Sequence, residues 1–188
     1  MSGCLDYEHR CLSIFFPWMG EQKPVKQVTA SMVRQTTALL LFLVACLSAG
    51  FIGSWFTADS IDDWYQHLNK PSWNPPSWVF APVWTTLYCM MAVAAWLVWR
   101  RAGLRGSMAA QICFGVQLIL NTMWSIVFFG FRAPGWAFGE ILILWLSIAI
   151  TTWQFRKFSS VATLLMMPYL AWTTFAAVLN FTIWQMNR

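Results

Sequence analysis

The chain has 188 residues, 59% of them hydrophobic and only 10% charged, with a mean hydropathy of +0.54. So few charges cannot coat a water-soluble globule of this length, which excludes that class. The net charge of +5 does not point to nucleic acid, because the basic residues stand in small groups between apolar runs rather than in a stripe interleaved with aromatics.

Residues 1–35 are mixed in charge and contain Pro17 and Pro24, and their one apolar patch, Leu12 to Phe16, is too short for the h-region of a signal peptide. A poorly ordered tail is expected there, and Met32 has the position of an ordinary initiator. From residue 36 to 188 the composition changes. A helix crossing the roughly 30 Å hydrocarbon layer needs about 20 apolar residues, since backbone N–H and C=O groups must be satisfied internally in lipid. Thr37 to Phe56, Ser77 to Trp99, Ser107 to Phe131 and Phe158 to Asn187 qualify without a single charge, and Ala133 to Phe155 qualifies with Glu140 alone. The expected fold is therefore all-α, an integral membrane bundle of five transmembrane helices, with Pro134 in the first turn of the fourth.

Alternating spans sort the cations into two sets. Lys23, Lys26, Arg34, Arg100, Arg101, Arg105, Arg156 and Lys157 fall on one side, and Lys70, Arg132 and Arg188 on the other. The positive-inside rule then makes the N-terminus cytoplasmic and puts the C-terminus on the far side, together with the loop from Thr57 to Pro76. Whether the membrane is a bacterial envelope or an organellar one is not encoded in this pattern. Cysteines at 4, 11, 46, 89 and 113 form no CxxC, no His stands near them at ligand spacing in the membrane region, and His9 lies in the tail while His67 is alone in the loop, so no disulfide framework and no metal site are expected.

Along the chain, the first helix carries Ala45, Ala49 and Gly53 at four-residue spacing, a small-residue seam that lets helices approach closely. The most informative segment follows, WYQHLNKPSWNPPSWVFAPVWTTLY from Trp64 to Tyr88. Its prolines at 71, 75, 76 and 82 stiffen the backbone and lower the entropy cost of ordering a loop, while Trp64, Trp73, Trp78 and Trp84 supply rigid aromatic surface. An aromatic belt at the bilayer surface accounts for single tryptophans but not for four prolines, so a preorganised lid is expected. Trp84 and Tyr88 share a face of the second helix, and Gln117, Asn121, Ser125 and Phe128 share one on the third. Those polar groups need a partner, either a neighbouring helix or a ligand.

Glu140 is the only ionisable group inside any span and heads a stripe with Trp136, Ile143, Ser147 and Thr151. A structural hydrogen-bonding node is the favoured expectation over a proton relay, since no second carboxylate or His is available in the spans. The fifth helix offers Tyr169, Trp172, Thr173, Ala176 and Asn180, which mix large aromatics with a small residue. No nucleophile with a base, no Gly-rich phosphate loop and no paired carboxylates occur in the spans, which disfavours a conventional hydrolase or NTPase.

The run LNKPSWNPPSWVFAPVWTTLY, with LILNTMWSIVFFG, GWA at 135–137 and PYLAW…LN at 168–180, resembles the tryptophan-rich sensory protein family, TspO, whose animal members are the translocator protein or peripheral-type benzodiazepine receptor. The similarity covers about residues 36–188. It implies a five-helix domain whose pocket, closed by the first loop, binds porphyrins such as protoporphyrin IX and haem, together with isoquinoline carboxamides and benzodiazepines. The matching ligand-binding candidates are Trp73 and Trp78 in the loop, Trp84, Tyr88, Asn121, Trp136, Trp172, Ala176, Leu179 and Asn180. The resemblance also implies a homodimer, no obligatory cofactor and no metal, and for some bacterial members light-dependent porphyrin breakdown, for which Trp84 and Trp172 are the catalytic candidates. The sterol consensus of animal members needs a Tyr shortly before a Lys or Arg, and Phe181 stands here instead.

Three functions follow as expectations. The first is a tetrapyrrole-binding membrane sensor or regulator, with Lys70 or Arg132 at the mouth engaging propionates. The second is an enzyme of tetrapyrrole metabolism that degrades porphyrin in light, and the third a transporter of tetrapyrroles or small metabolites.

Overall fold

The computed structural model describes residues 32–188, apart from the side chains of residues 59 and 62. The expected N-terminal tail lies outside the described residues up to position 31, and its last residues, from Met32 on, already belong to the first helix. Five long helices follow: α1 (Met32–Asp63), α2 (Phe80–Gly106), α3 (Met108–Ser125), α4 (Pro134–Arg156) and α5 (Ser160–Met186). Each contains a stretch long and apolar enough to cross a membrane.

Local chemistry explains where the helices stop. Gly103, at φ 65, is the one left-handed break inside α2, and the Ser107 hydroxyl donates to its carbonyl at 2.6 Å, closing the tight turn into α3. Pro134 opens α4, where its missing N–H costs nothing. Ser159 caps α5 by accepting a hydrogen bond from the Ala162 amide at 3.2 Å. The π-helical turn Ile126–Gly130 ends α3, and Arg132 then takes the left-handed conformation, φ 52, that reverses the chain.

α1 runs further than the charge-free stretch suggests. No Gly or Pro interrupts residues 54–70, and the Ser60 hydroxyl anchors the extension by donating to the Phe129 carbonyl at 2.8 Å. The connection to α2 is correspondingly short, residues 64–79, and is built on single 3-10 turns at Tyr65–His67 and Ser77–Val79.

The bundle differs between its two ends. Away from the loop, small side chains bring the helices together: Ala92, Ala94, Ala95 and Ala162 are fully buried beside Val98, Met166 and Phe155. Gln111 Nε2 donates to the Ala95 carbonyl at 3.0 Å, and Trp96 Nε1 to the Gln35 carbonyl at 3.1 Å. Toward the loop the core is aromatic, with Phe128 packed between Trp64, Tyr65 and Trp124. α1 touches α2 at the boundary, where a Cβ on Gly50 would lie 2.5 Å from Tyr88 Cε2.

Candidate functional site

Above that boundary the helices enclose a cavity of about 530 Å³, within the range of small-molecule sites. α2 supplies Phe80, Trp84 and Tyr88, which recur every turn on one face. α3 adds Trp124, Ser125 and Phe128, and α5 adds Trp172, Phe175, Ala176, Leu179 and Asn180. Ala176 leaves room between larger neighbours. The rings brace one another rather than fill the space: Phe80 meets Trp172 edge-on at 6.0 Å, Trp172 leans on Phe175 at 5.4 Å, and Trp84 contacts Tyr88 at 5.8 Å and Tyr169 at 6.3 Å.

Two amide networks hold the walls. Beneath the floor the Tyr88 hydroxyl donates to Asn121 Oδ1, and Asn121 Nδ2 donates to the Tyr169 hydroxyl at 2.9 Å, linking α2, α3 and α5. On one side Trp124 Nε1 donates to Asn180 Oδ1 at 3.1 Å, and Asn180 Nδ2 donates to the Pro134 carbonyl at 2.8 Å. Both amides thus find partners inside the protein, as buried polar groups in a low-dielectric setting require. The Trp172 indole N–H is buried with no partner among the described residues, and it borders the cavity.

Of the residues singled out from sequence, the structure brings Trp84, Tyr88, Trp172, Ala176, Leu179 and Asn180 together on this wall. Asn121 is buried below the floor instead of facing the space, because both tyrosines occupy its amide. Trp73 lies over the wall rather than in it, half-exposed with its edge on Phe175 at 5.9 Å. Trp78 points outward, 75% exposed. Trp136 is also outside the cavity, 82% exposed, because its neighbour Gly135 packs so closely on Trp184 that a Cβ there would lie 2.8 Å from the indole nitrogen. The next residue is rotated by about 100° around α4, which carries Trp136 off that contact and onto the outer surface.

The cations at the mouth are engaged within the protein. Lys70 Nζ donates to the Tyr65 and Gln66 carbonyls at 2.6 and 3.1 Å and lies over the Tyr65 ring, and desolvation lowers its pKa. Arg132 pairs with Asp63 at 3.0 Å, an exposed bridge of small energetic value. Burial raises the Tyr65 phenol above its ordinary range, partly offset by its hydrogen bond to Asn74 at 3.0 Å. Glu140 forms no node: both carboxylate oxygens are enclosed without a partner among the described residues.

The sequence reading passed over Phe80, Trp124 and Phe175 as site residues. Phe80 stands one turn before Trp84, Trp124 three residues after Asn121 and Phe175 three after Trp172, so extending each stripe by one turn finds them.

Five apolar helices around a braced aromatic cavity define an integral membrane protein of the helical-bundle class. The TspO/MBR family model matches residues 42–185, and the chain belongs to that family. Among its relatives, the tryptophan-rich protein TspO of Chlorobaculum tepidum is 42% identical over 160 residues, covering 83% of this chain and 99% of that one. The tryptophan-rich sensory protein of Cereibacter sphaeroides is 41% identical over 148 residues, covering 79% and 90%. The translocator protein of Ovis aries is 41% identical over 142 residues, covering 74% and 83%.

Proposed function

We propose that the protein is a membrane sensor or regulator that binds a flat tetrapyrrole of the porphyrin class in the cavity between α2, α3 and α5. The observation that carries the reading is the wall itself: Trp84, Trp124 and Trp172 converge on a space of about 530 Å³. Extended rings stack well on such a surface, and rigid aromatic walls lose little entropy when they do so. The names of the relatives support a sensory role. Because Lys70 and Arg132 are already engaged, propionates extend past the mouth into the headgroup region rather than onto these two side chains.

Arg34, Arg100 and Lys157, each over a tryptophan ring at 5.6, 5.2 and 4.2 Å, anchor the end opposite the loop. In this reading that end is cytoplasmic, and the protein works as a homodimer in the bilayer. Titration of the purified protein with protoporphyrin IX, followed by indole quenching, tests the function. Saturable quenching is expected, with affinity about tenfold or more weaker in Trp84→Ala; non-saturable quenching that the substitution leaves unchanged would overturn it.

A second reading, light-dependent porphyrin breakdown, draws support from the contacts of Trp84 with Tyr88 and Tyr169, which set oxidisable rings side by side at the cavity wall. It expects loss of the porphyrin absorption band in light and not in darkness, slowed by Trp84→Phe and Trp172→Phe. Equal decay in all three proteins would remove it.

A further inference from the structure

One side of the cavity is lined by residues that also lie on the outer surface. Beyond Gly50, α1 leans on α3 and its terminal turn. A Cβ on Gly53 would lie 3.0 Å from Ser125 Oγ, a Cβ on Gly130 would lie 3.2 Å from Phe56, and Ser60 bonds to the Phe129 carbonyl. On the side toward α2, the loop-end half of α1 carries side chains exposed at the surface. There, Leu47, Phe51, Ser54 and Ala58 of α1 and Ala81 and Thr85 of α2 line the cavity and are outer surface as well, Phe51 at 65% exposure. These positions fall inside the stretches Met32–Ala58 and Ser77–Gly106 that are apolar enough to span, so the medium they meet is hydrocarbon. Ser54, Ala58, Ala81 and Thr85 among them are small.

The loop over the mouth is, by contrast, fastened. The Asn69 amide donates to Asn187 Oδ1 at 2.9 Å, Asn187 Nδ2 donates back to the Asn69 carbonyl at 2.9 Å, and Lys70 and Asn74 each tie to Tyr65. Lifting it breaks the paired Asn69–Asn187 hydrogen bonds, whereas passage between α1 and α2 displaces only lipid tails.

We propose that the cavity exchanges its ligand sideways with the bilayer, through the slot between the loop-end halves of α1 and α2, while the loop stays fastened. This rests on reading the cavity as a ligand site, and it narrows the ligand to a flat amphiphile that dissolves in the membrane and enters edge-on. Loading of the cavity then follows partition into lipid, so bilayer concentration and not aqueous concentration sets the rate of association.

The test uses the full chain in liposomes, with protoporphyrin IX as probe and rapid-mixing quenching as readout. Thr85→Trp and, as a second blocking variant, Ala81→Trp are expected to slow both association and dissociation by about tenfold or more, the signature of a narrowed passage rather than of weakened contacts. Asn187→Ala, which unfastens the loop, is expected to leave both rates near those of the parent protein. Acceleration by Asn187→Ala with no effect of either tryptophan would overturn the proposal in favour of entry through the loop.

A second readout is independent of porphyrin. A nitroxide on Ala176→Cys, in a chain whose other cysteines are alanine, is expected to collide with lipid-dissolved oxygen and not with a water-soluble nickel chelate, and Thr85→Trp to reduce the oxygen collisions. Free access of the nickel chelate, raised further by Asn187→Ala, would sink the slot. Failure of porphyrin to bind while the oxygen pattern holds counts against the porphyrin reading alone.

Discussion

The two ends of the bundle solve opposite packing problems with the same five helices. Away from the loop, Ala92, Ala94, Ala95 and Ala162 let the backbones close until no space remains, and Phe114 stacks on Phe155 at 6.0 Å to finish the core. Toward the loop, Trp84, Trp124 and Trp172 are too large and too rigid to interdigitate, so they brace against the neighbouring rings of Tyr169, Phe128 and Phe175 and hold the helices apart. Small residues close a membrane bundle and braced aromatics keep it open. A tight end then fixes the angles at which helices enter the open end.

The joint between the two ends is where this contrast breaks most readily. Gly50→Leu drives a side chain into the Tyr88 ring, and a destabilisation of about 3 kcal/mol is expected, with loss of the Tyr88–Asn121 bond, read as a lowered unfolding temperature in detergent. An unchanged melting temperature would show that α1 does not meet α2 there.

Asn121→Leu sharpens the comparison from inside. It removes the amide that ties two tyrosines from different helices under the cavity floor, and a cost of about 1–3 kcal/mol is expected, together with weaker porphyrin quenching because Tyr88 is no longer held. Weaker quenching without any loss of stability would place Asn121 against the ligand instead.

Asn187→Ala acts only at the rim, where the two asparagines clamp the loop. A stability change of about 1 kcal/mol or less is expected, with faster protease cleavage in residues 64–76, and uniform resistance to cleavage would argue against the clamp. Trp136→Ala, on the outer surface, is expected to have the smallest effect, within about 0.5 kcal/mol in stability and with porphyrin affinity retained. A large loss of affinity would mean that Trp136 reaches a ligand in a way its outward placement does not suggest.

How much of this was legible beforehand varies from residue to residue. The five spans followed from uninterrupted apolar runs, because lipid leaves the backbone no other solution than a helix. Trp84, Tyr88, Trp172 and Ala176 were legible because helical spacing alone places them on inward faces. Trp78 and Trp136 belong to the same motifs and yet face outward, since a motif carries no information on rotation about the helix axis at its first turn. That rotation is set by contacts such as Gly135 on Trp184, between residues far apart in the chain.

Composition and periodicity by themselves determined that this chain lives in a membrane, how many times its helices cross it, and that a proline-stiffened, tryptophan-rich connection stands at one end. The tertiary structure alone decided which polar groups are consumed inside the protein: Asn121 by two tyrosines, Asn180 by Trp124 and Pro134, Lys70 by the loop carbonyls. It also decided that one flank of the cavity faces lipid. Hydrogen-bond partners and side openings arise from how helices tilt against one another, and tilt depends on packing between segments that no local pattern encodes.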